Sequence, residues 1–237
     1  MSHLRLVGFI TLIFFANPAG AQHPIIVQKL TEWNEAAPSP DNALLEQEVL
    51  TTAAEIYGPD GGCQDTQVAL RDVRPATADR YVFTGVLNGT LRNAWFVTAS
   101  LPGCDNAPVR FMVIRDADED LRTIRVNRGD SIAWDSLFVD TLPLARLGAL
   151  ATLRSAGVGC ATEASHTLGV TRVANEGSDL GPDVFGGRYA GSWSEIWPIT
   201  ICERTVEVFI EFTADGDGGA YTRVSGDQSK LVSENPA

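Results

Sequence analysis

The stretch 191–219, GSWSEIWPITICERTVEVFIEFTADGDGG, decides how this chain is read. Trp193, Glu195, Trp197, Ile199 and Ile201 alternate with other side chains at a period of two, and Val206, Val208, Ile210 and Phe212 do the same. Successive side chains of a strand point to opposite faces, so each run is a strand with one largely apolar face. The Asp- and Gly-rich DGDGG that follows is turn chemistry. The spacing therefore predicts a hairpin with Trp193, Glu195 and Trp197 on one face. As a recognition surface, that face could stack on a sugar or hold a basic side chain, which makes these three residues the candidate binding face. As the inside of a sheet, it makes the indoles core. Glu195 then needs a partner, because a carboxylate among apolar groups is costly unless paired. Arg188 and Arg204 are the nearest arginines for that role.

Working outward, the same pattern occurs earlier in the chain. GTLRNAWFVTA (89–99) lies over GSWSEIWPITI (191–201), with Trp95 on Trp197. PVRFMV (108–113) lies over TVEVFI (205–210), and DADEDLRTIRV (116–126) over TADGDGGAYTRV (213–224), with Asp118 on Asp215. Cys63 and Cys104 are separated by almost the same interval as Cys160 and Cys202. This self-similarity predicts two diverged copies of one unit. A unit that once folded alone carries its own bridge, giving Cys63–Cys104 and Cys160–Cys202. Each closes a loop of about 42 residues, worth on the order of 4 kcal/mol in the chain-entropy account.

Each unit opens on a helical pattern. In DNALLEQEVLTTAAEIYG, Leu45, Val49, Ala53 and Ile56 form a stripe, with Asp41 as N-cap and Gly58 at the end. In TLPLARLGALATLRSAG, Leu144, Leu147, Leu150 and Ala151 form the stripe, Pro143 sits in the first turn and Gly157 stops the run. The expected fold class is α+β: two tandem related units, each one helix packed on a small antiparallel β-sheet. The expected organisation is a signal peptide at 1–21, an extended leader at 22–40, unit 1 at 41–127, a linker at 128–139, unit 2 at 140–226 and a disordered tail at 227–237.

The N-terminus MSHLRLVGFITLIFFANPAGAQ has one basic residue, Arg5, before a short apolar run, then Pro18 and the small residues Ala19-Gly20-Ala21. That is the pattern of a secretory signal cleaved between Ala21 and Gln22, and it predicts a periplasmic or extracellular protein. No later stretch reads as a transmembrane helix, so no membrane insertion is expected after processing. The chain carries a net charge of −12 at pH 7, and loss of Arg5 would make it more negative. Such a charge repels phosphate backbones and anionic lipids, which argues against nucleic-acid partners. Four cysteines in an oxidising compartment point to disulfides.

Motifs that carry chemistry are few. Asp116, Asp118 and Asp120 have a DxDxD rhythm, but Leu121 and Asn127 stand where a calcium loop wants Gly and a bidentate Glu. No metal site and no cofactor is therefore assigned. His166 is the one histidine in the body of the mature chain and reads as a surface residue. No GxSxG, phosphate-binding glycine loop or HExxH occurs. A carboxylate pair such as Glu195 with Asp183 would suit glycoside hydrolysis. No catalytic residue is assigned.

The string Gly191-x-Trp193-x-Glu195-x-Trp197, with Cys202 five residues further on and DGDGG closing the next strand, resembles exported proteobacterial proteins in which glycine commonly follows the cysteine; Glu203 stands there in this chain. The similarity covers about 35 residues and implies export but neither an activity nor a site. The expected function is a soluble, disulfide-bonded binding or assembly protein of the cell envelope, its partner an unidentified protein or glycan. The alternatives are a carboxylate-dependent hydrolase of envelope polymers and a calcium-stabilised structural module.

Overall fold

The computed structural model describes residues 24–58, 63, 66–104 and 106–232, so the expected signal peptide lies outside the described residues. In chain order the elements are α1 (Pro24–Ala36), α2 (Asn42–Tyr57), β1 (Ala69–Pro75), α3 (Arg80–Leu87), β2 (Leu91–Ser100), β3 (Pro108–Asp116) and β4 (Leu121–Arg128). Then come α4 (Asp135–Ser155), β5 (His166–Leu168), β6 (Arg172–Glu176), β7 (Ser192–Ile201), β8 (Arg204–Ala214) and β9 (Ala220–Leu231). One antiparallel sheet has the order β1-β2-β3-β4, and the other β5-β7-β8-β9, with β6 also paired to β7. The class is α+β.

The helix at 42–57 forms where its pattern places it. The Asp41 carboxylate accepts the Leu44 N–H at 2.9 Å, satisfying one of the orphan donors of the first turn. Leu45, Val49, Ala53 and Tyr57 are buried against Val97, Ala99, Val109, Phe111 and Val113 of the first sheet. Each large side chain so buried contributes roughly 1.5–3 kcal/mol.

The second long helix departs from expectation. It begins at Asp135, so Pro143 lies inside it. Its buried stripe is Leu137, Phe138, Thr141, Ala145, Ala149, Leu150 and Leu153, while Leu144 and Leu147 remain 46% and 53% exposed. Reading Pro143 as the first turn hid Leu137 and Phe138, which set the true stripe; Phe138 packs on Trp197 with ring centroids 4.3 Å apart. Proline has no N–H, so residue 143 cannot make the usual helical bond to the Val139 carbonyl. Among the described residues α4 is also long and apolar enough to cross a membrane, contrary to the sequence expectation. In this fold its buried stripe joins the core of the second sheet.

Three further boundaries are corrected. Residues 24–36, expected to be extended leader, are helix α1. Its prolines flank the helix (Pro24 in its first turn, Pro38 and Pro40 beyond its end), Leu30 is buried, and Trp33 packs on Phe83 at 5.3 Å. The expected linker 128–139 holds buried Ser131, Ala133 and Trp134 and the first turn of α4. Residues 227–231 of the expected tail belong to β9. The first half also carries α3, an extra helix that its stripe-based description lacks.

The hairpin tips share one construction. Asp116 Oδ1 accepts the N–H groups of Asp118 and Asp120 at 2.9 and 3.1 Å; Asp215 Oδ1 accepts those of Asp217 and Gly219, both at 2.9 Å. Asp116 thus corresponds to Asp215, a shift of two from the sequence alignment. Trp95, paired with Val113 three residues before Asp116, then corresponds to Trp193, paired with Phe212 three residues before Asp215, and not to Trp197.

The disulfides join Cys63 to Cys104 and Cys160 to Cys202. Cys202 and Glu203 form the two-residue turn between β7 and β8, with φ of 50° and 59°. Positive φ at both central positions is the type I′ requirement, which Asn-Gly meets with little strain and a glutamate does not. Glu203→Gly is expected to stabilise the protein by about 1 kcal/mol, read as a higher urea midpoint with unchanged slope. A lower midpoint would contradict a strained turn.

Candidate binding groove

The Trp193–Trp197 face of β7 is core. Trp193 and Trp197 are buried beneath α4, Trp193 stacking on Phe212 at 4.9 Å, and Glu195 is fully buried between them. They present no surface to a partner, so the candidate binding face is corrected: burying two indoles on the helix-covered side of the sheet is how this half builds its core. Gly191 has φ +86° and a Cβ there would lie 2.2 Å from the Asp179 carbonyl oxygen, so the glycine before Trp193 is a backbone requirement.

Glu195 finds its partner in the chain between the two sheets, and not in Arg188 or Arg204. Oε1 accepts the N–H groups of Ile132 (2.8 Å), Ala133 (3.2 Å) and the Trp193 indole (2.9 Å). Oε2 accepts the Ser131 hydroxyl and the Trp197 indole N–H, both at 2.7 Å. From the first sheet, buried Arg110 donates to the carbonyls of Ala133 (2.9 Å) and Ser131. Burial pushes Arg110 down to about 10, with Arg74 nearby acting the same way and the Glu195 carboxylate opposing. Segment 131–133 is thus gripped by its N–H groups from one sheet and its carbonyls from the other. This is a joint, and a substrate cannot reach it. The acid pair suggested for hydrolysis does not form a cleft: Asp183 accepts from Arg74 and from the Gly186 N–H.

An accessible site lies over the other side of α4. Asp79, fully buried, accepts the Tyr81 N–H (2.9 Å) with one oxygen and the Ser136 N–H (2.8 Å) with the other. One carboxylate so caps α3 and the first turn of α4 together, fixing the angle at which they diverge. Between them is a cavity of about 560 Å³ lined by Arg80, Tyr81, Asp135, Val139 and Asp140 among others. A second of about 400 Å³ continues it towards the β8–β9 tip, reaching Leu144, Asp215 and Tyr221; the two share Arg80, Ser136 and Asp140. Arg80 pairs with Asp140 at 3.1 Å across their junction. Apolar groups stay open along this groove: Val139 is 59% and Tyr221 75% exposed.

Within the groove Asp135 is pushed up to about 6, first by burial and then by the Asp79 charge. Its folded value lies above its unfolded one, so folding takes up a proton between about pH 4 and 6, and stability falls as pH rises through that window. Asp135 is partly exposed and screened by solvent, so the full shift overstates the effect. Relative to wild type, Asp135→Asn is expected to be about 1–2 kcal/mol more favourable at pH 7.5 than at pH 4, measured as paired urea midpoints. Parallel pH profiles for the two proteins would contradict this.

The remaining expectations fall elsewhere. His166 is in β5, away from the groove. Asp116 and Asp215 direct carboxylate oxygens to turn N–H groups, and among the described residues no group of three or more His, Cys, Asp or Glu is placed to hold a metal. Sequence reasoning missed Asp79, Asp135 and Tyr221; Asp79 directly before an apolar run was a cap signal that could have revealed α3. Comparison with protein-family models, curated proteins and solved structures finds no match for the chain.

Proposed function

We propose that this is an exported binding protein of the cell envelope that captures a protein segment in the α3–α4 groove. The observation that carries the reading is the pair of open apolar groups on α4, Val139 and Leu144, flanked by Tyr81 and Tyr221 and set among Asp135, Asp140 and Asp215. Exposed apolar surface of this extent, rimmed by polar groups, is characteristic of interaction sites. The acids favour a segment with a basic side chain between apolar ones. Two disulfides accord with an oxidising compartment.

The test is selection of displayed random peptides on the immobilised protein. Enriched peptides should pair Lys or Arg with Leu or Phe, and Leu144→Asp should weaken them about tenfold or more. No enrichment, or equal binding to the variant, would overturn the reading. Asp135, held near 6 within the groove, supports a carboxylate hydrolase as the second reading, since such an acid can donate a proton near neutral pH. It would appear as solubilisation of peptidoglycan sacculi that Asp135→Asn abolishes.

We also infer that the two halves descend from one duplicated unit. Support comes from the matching tips at Asp116 and Asp215, the left-handed backbone at Glu119 and Gly218 (φ 72° and 91°), and a bridge within each half running from beyond its long helix to a strand connection.

A further inference from the structure

The acids around the α3–α4 groove are not equivalent. Asp79 accepts the Tyr81 and Ser136 N–H groups, and Asp140 pairs with Arg80 at 3.1 Å. On the β8–β9 tip, Asp215 accepts the Asp217 and Gly219 N–H groups. Arg122 of β4 is also engaged, donating to the Tyr81 hydroxyl and lying 5.9 Å from its ring centroid. Asp135 lines the chamber of about 560 Å³, and among the described residues none donates a hydrogen bond to its carboxylate or pairs with it. The charge that acts on it is that of Asp79, which has the same sign. A partly buried carboxylate left in this way is costly until a cation joins it.

We propose that this chamber seats the basic side chain of the captured segment, with Asp135 as its counter-ion, and that mild acidification releases the segment; this rests on the groove reading given above. Leu91, Val139 and Tyr81 line the same chamber and suit the methylene stem of a lysine or arginine. The volume lies within the range of small-molecule sites. The direction of the pH response follows from the charge. The cation needs an ionised carboxylate, burial and Asp79 hold Asp135 at about 6, and below that value the cation has to displace a proton. Asp79 itself remains tied to the two helix starts, and Arg80 is already paired, so neither supplies a substitute.

Titration of the whole chain with n-hexylamine, followed through the amide NMR shifts of α4, tests the seat apart from any peptide. Hexanol and hexanoate are the controls. At about pH 7.5 the amine should bind below about 10 mM and more tightly than either control. Lowering the pH to about 4.5 should weaken it roughly ten- to thirtyfold, whereas an aspartate at the ordinary 3.8 would change it less than about twofold. Asp135→Asn should remove most of the affinity and flatten the profile, while Asp215→Asn should keep both; circular dichroism at both pH values shows that each protein is folded. The proposal is overturned if the amine fails to bind, if hexanol binds as tightly, if affinity is level between the two pH values, or if Asp135→Asn keeps the wild-type profile. Selected peptides that bind equally at both pH values leave the groove reading in place and sink this one. Amine binding with the expected profile but no selected peptide does the reverse: the cation seat and its pH response stand, and the protein segment falls.

Discussion

Glu195→Ala is expected to unfold the protein or leave it barely folded at room temperature. The substitution strands five donors that now converge on one carboxylate: two backbone N–H groups, a hydroxyl and two indoles. Each unsatisfied buried group costs about 1–3 kcal/mol. Even with water entering the space, a loss above about 4 kcal/mol is expected, against a typical total of 5–15. Glu195→Gln keeps the volume but turns an N–H₂ towards donors, so a loss of roughly 3–5 kcal/mol is expected there too. Arg110→Met removes the grip on the carbonyls of the same segment, and in a double-mutant cycle with Glu195→Gln the two losses should fall short of additivity, since either one frees segment 131–133. Urea midpoints and near-ultraviolet circular dichroism measure all of this. A well-folded Glu195→Ala protein within about 1 kcal/mol of wild type would show that the joint is not what holds the sheets together.

The second large effect is expected at the disulfides. Each bridge closes a loop of 41 or 42 residues, and constraining the unfolded chain over that length is worth about 4 kcal/mol. Replacing both cysteines of either pair by serine should therefore lower stability by roughly 2–5 kcal/mol. The Cys160–Cys202 pair should show the larger loss of local order, because Cys202 also occupies the left-handed turn between β7 and β8. Chemical denaturation of the two double-serine variants, together with hydrogen exchange of the β7–β8 strands, reads both predictions. If both variants melt with the wild type, the bridges do not contribute as the loop lengths require.

Local chemistry made part of this legible. Asp41 and Gly58 bracket α2 because capping and termination are decided within a turn of the helix end. The alternation from Trp193 to Phe212 gave two strands and a shared face for the same reason. What failed depended on neighbours distant in the chain. Nearness in sequence points Glu195 to Arg188 and Arg204, whereas its partner is a backbone segment more than 60 residues earlier. Proline's commonest helical position is the first turn, but here burial of Leu137 and Phe138 outweighs the hydrogen bond that Pro143 removes. The groove is invisible in the sequence because α3, α4 and the β8–β9 tip meet only in the folded chain, and Leu144, expected in the core, is a residue it exposes.

The clasp on residues 131–133 has a bearing on how the chain can be divided. A connector that both sheets hold from within is a spine and not a tether, so fragments ending at either side of it would each lose an interior wall. Residues 24–128 and 135–232 produced separately should stay insoluble or molten. Mixing them without the missing residues 129–134 should not restore the fold.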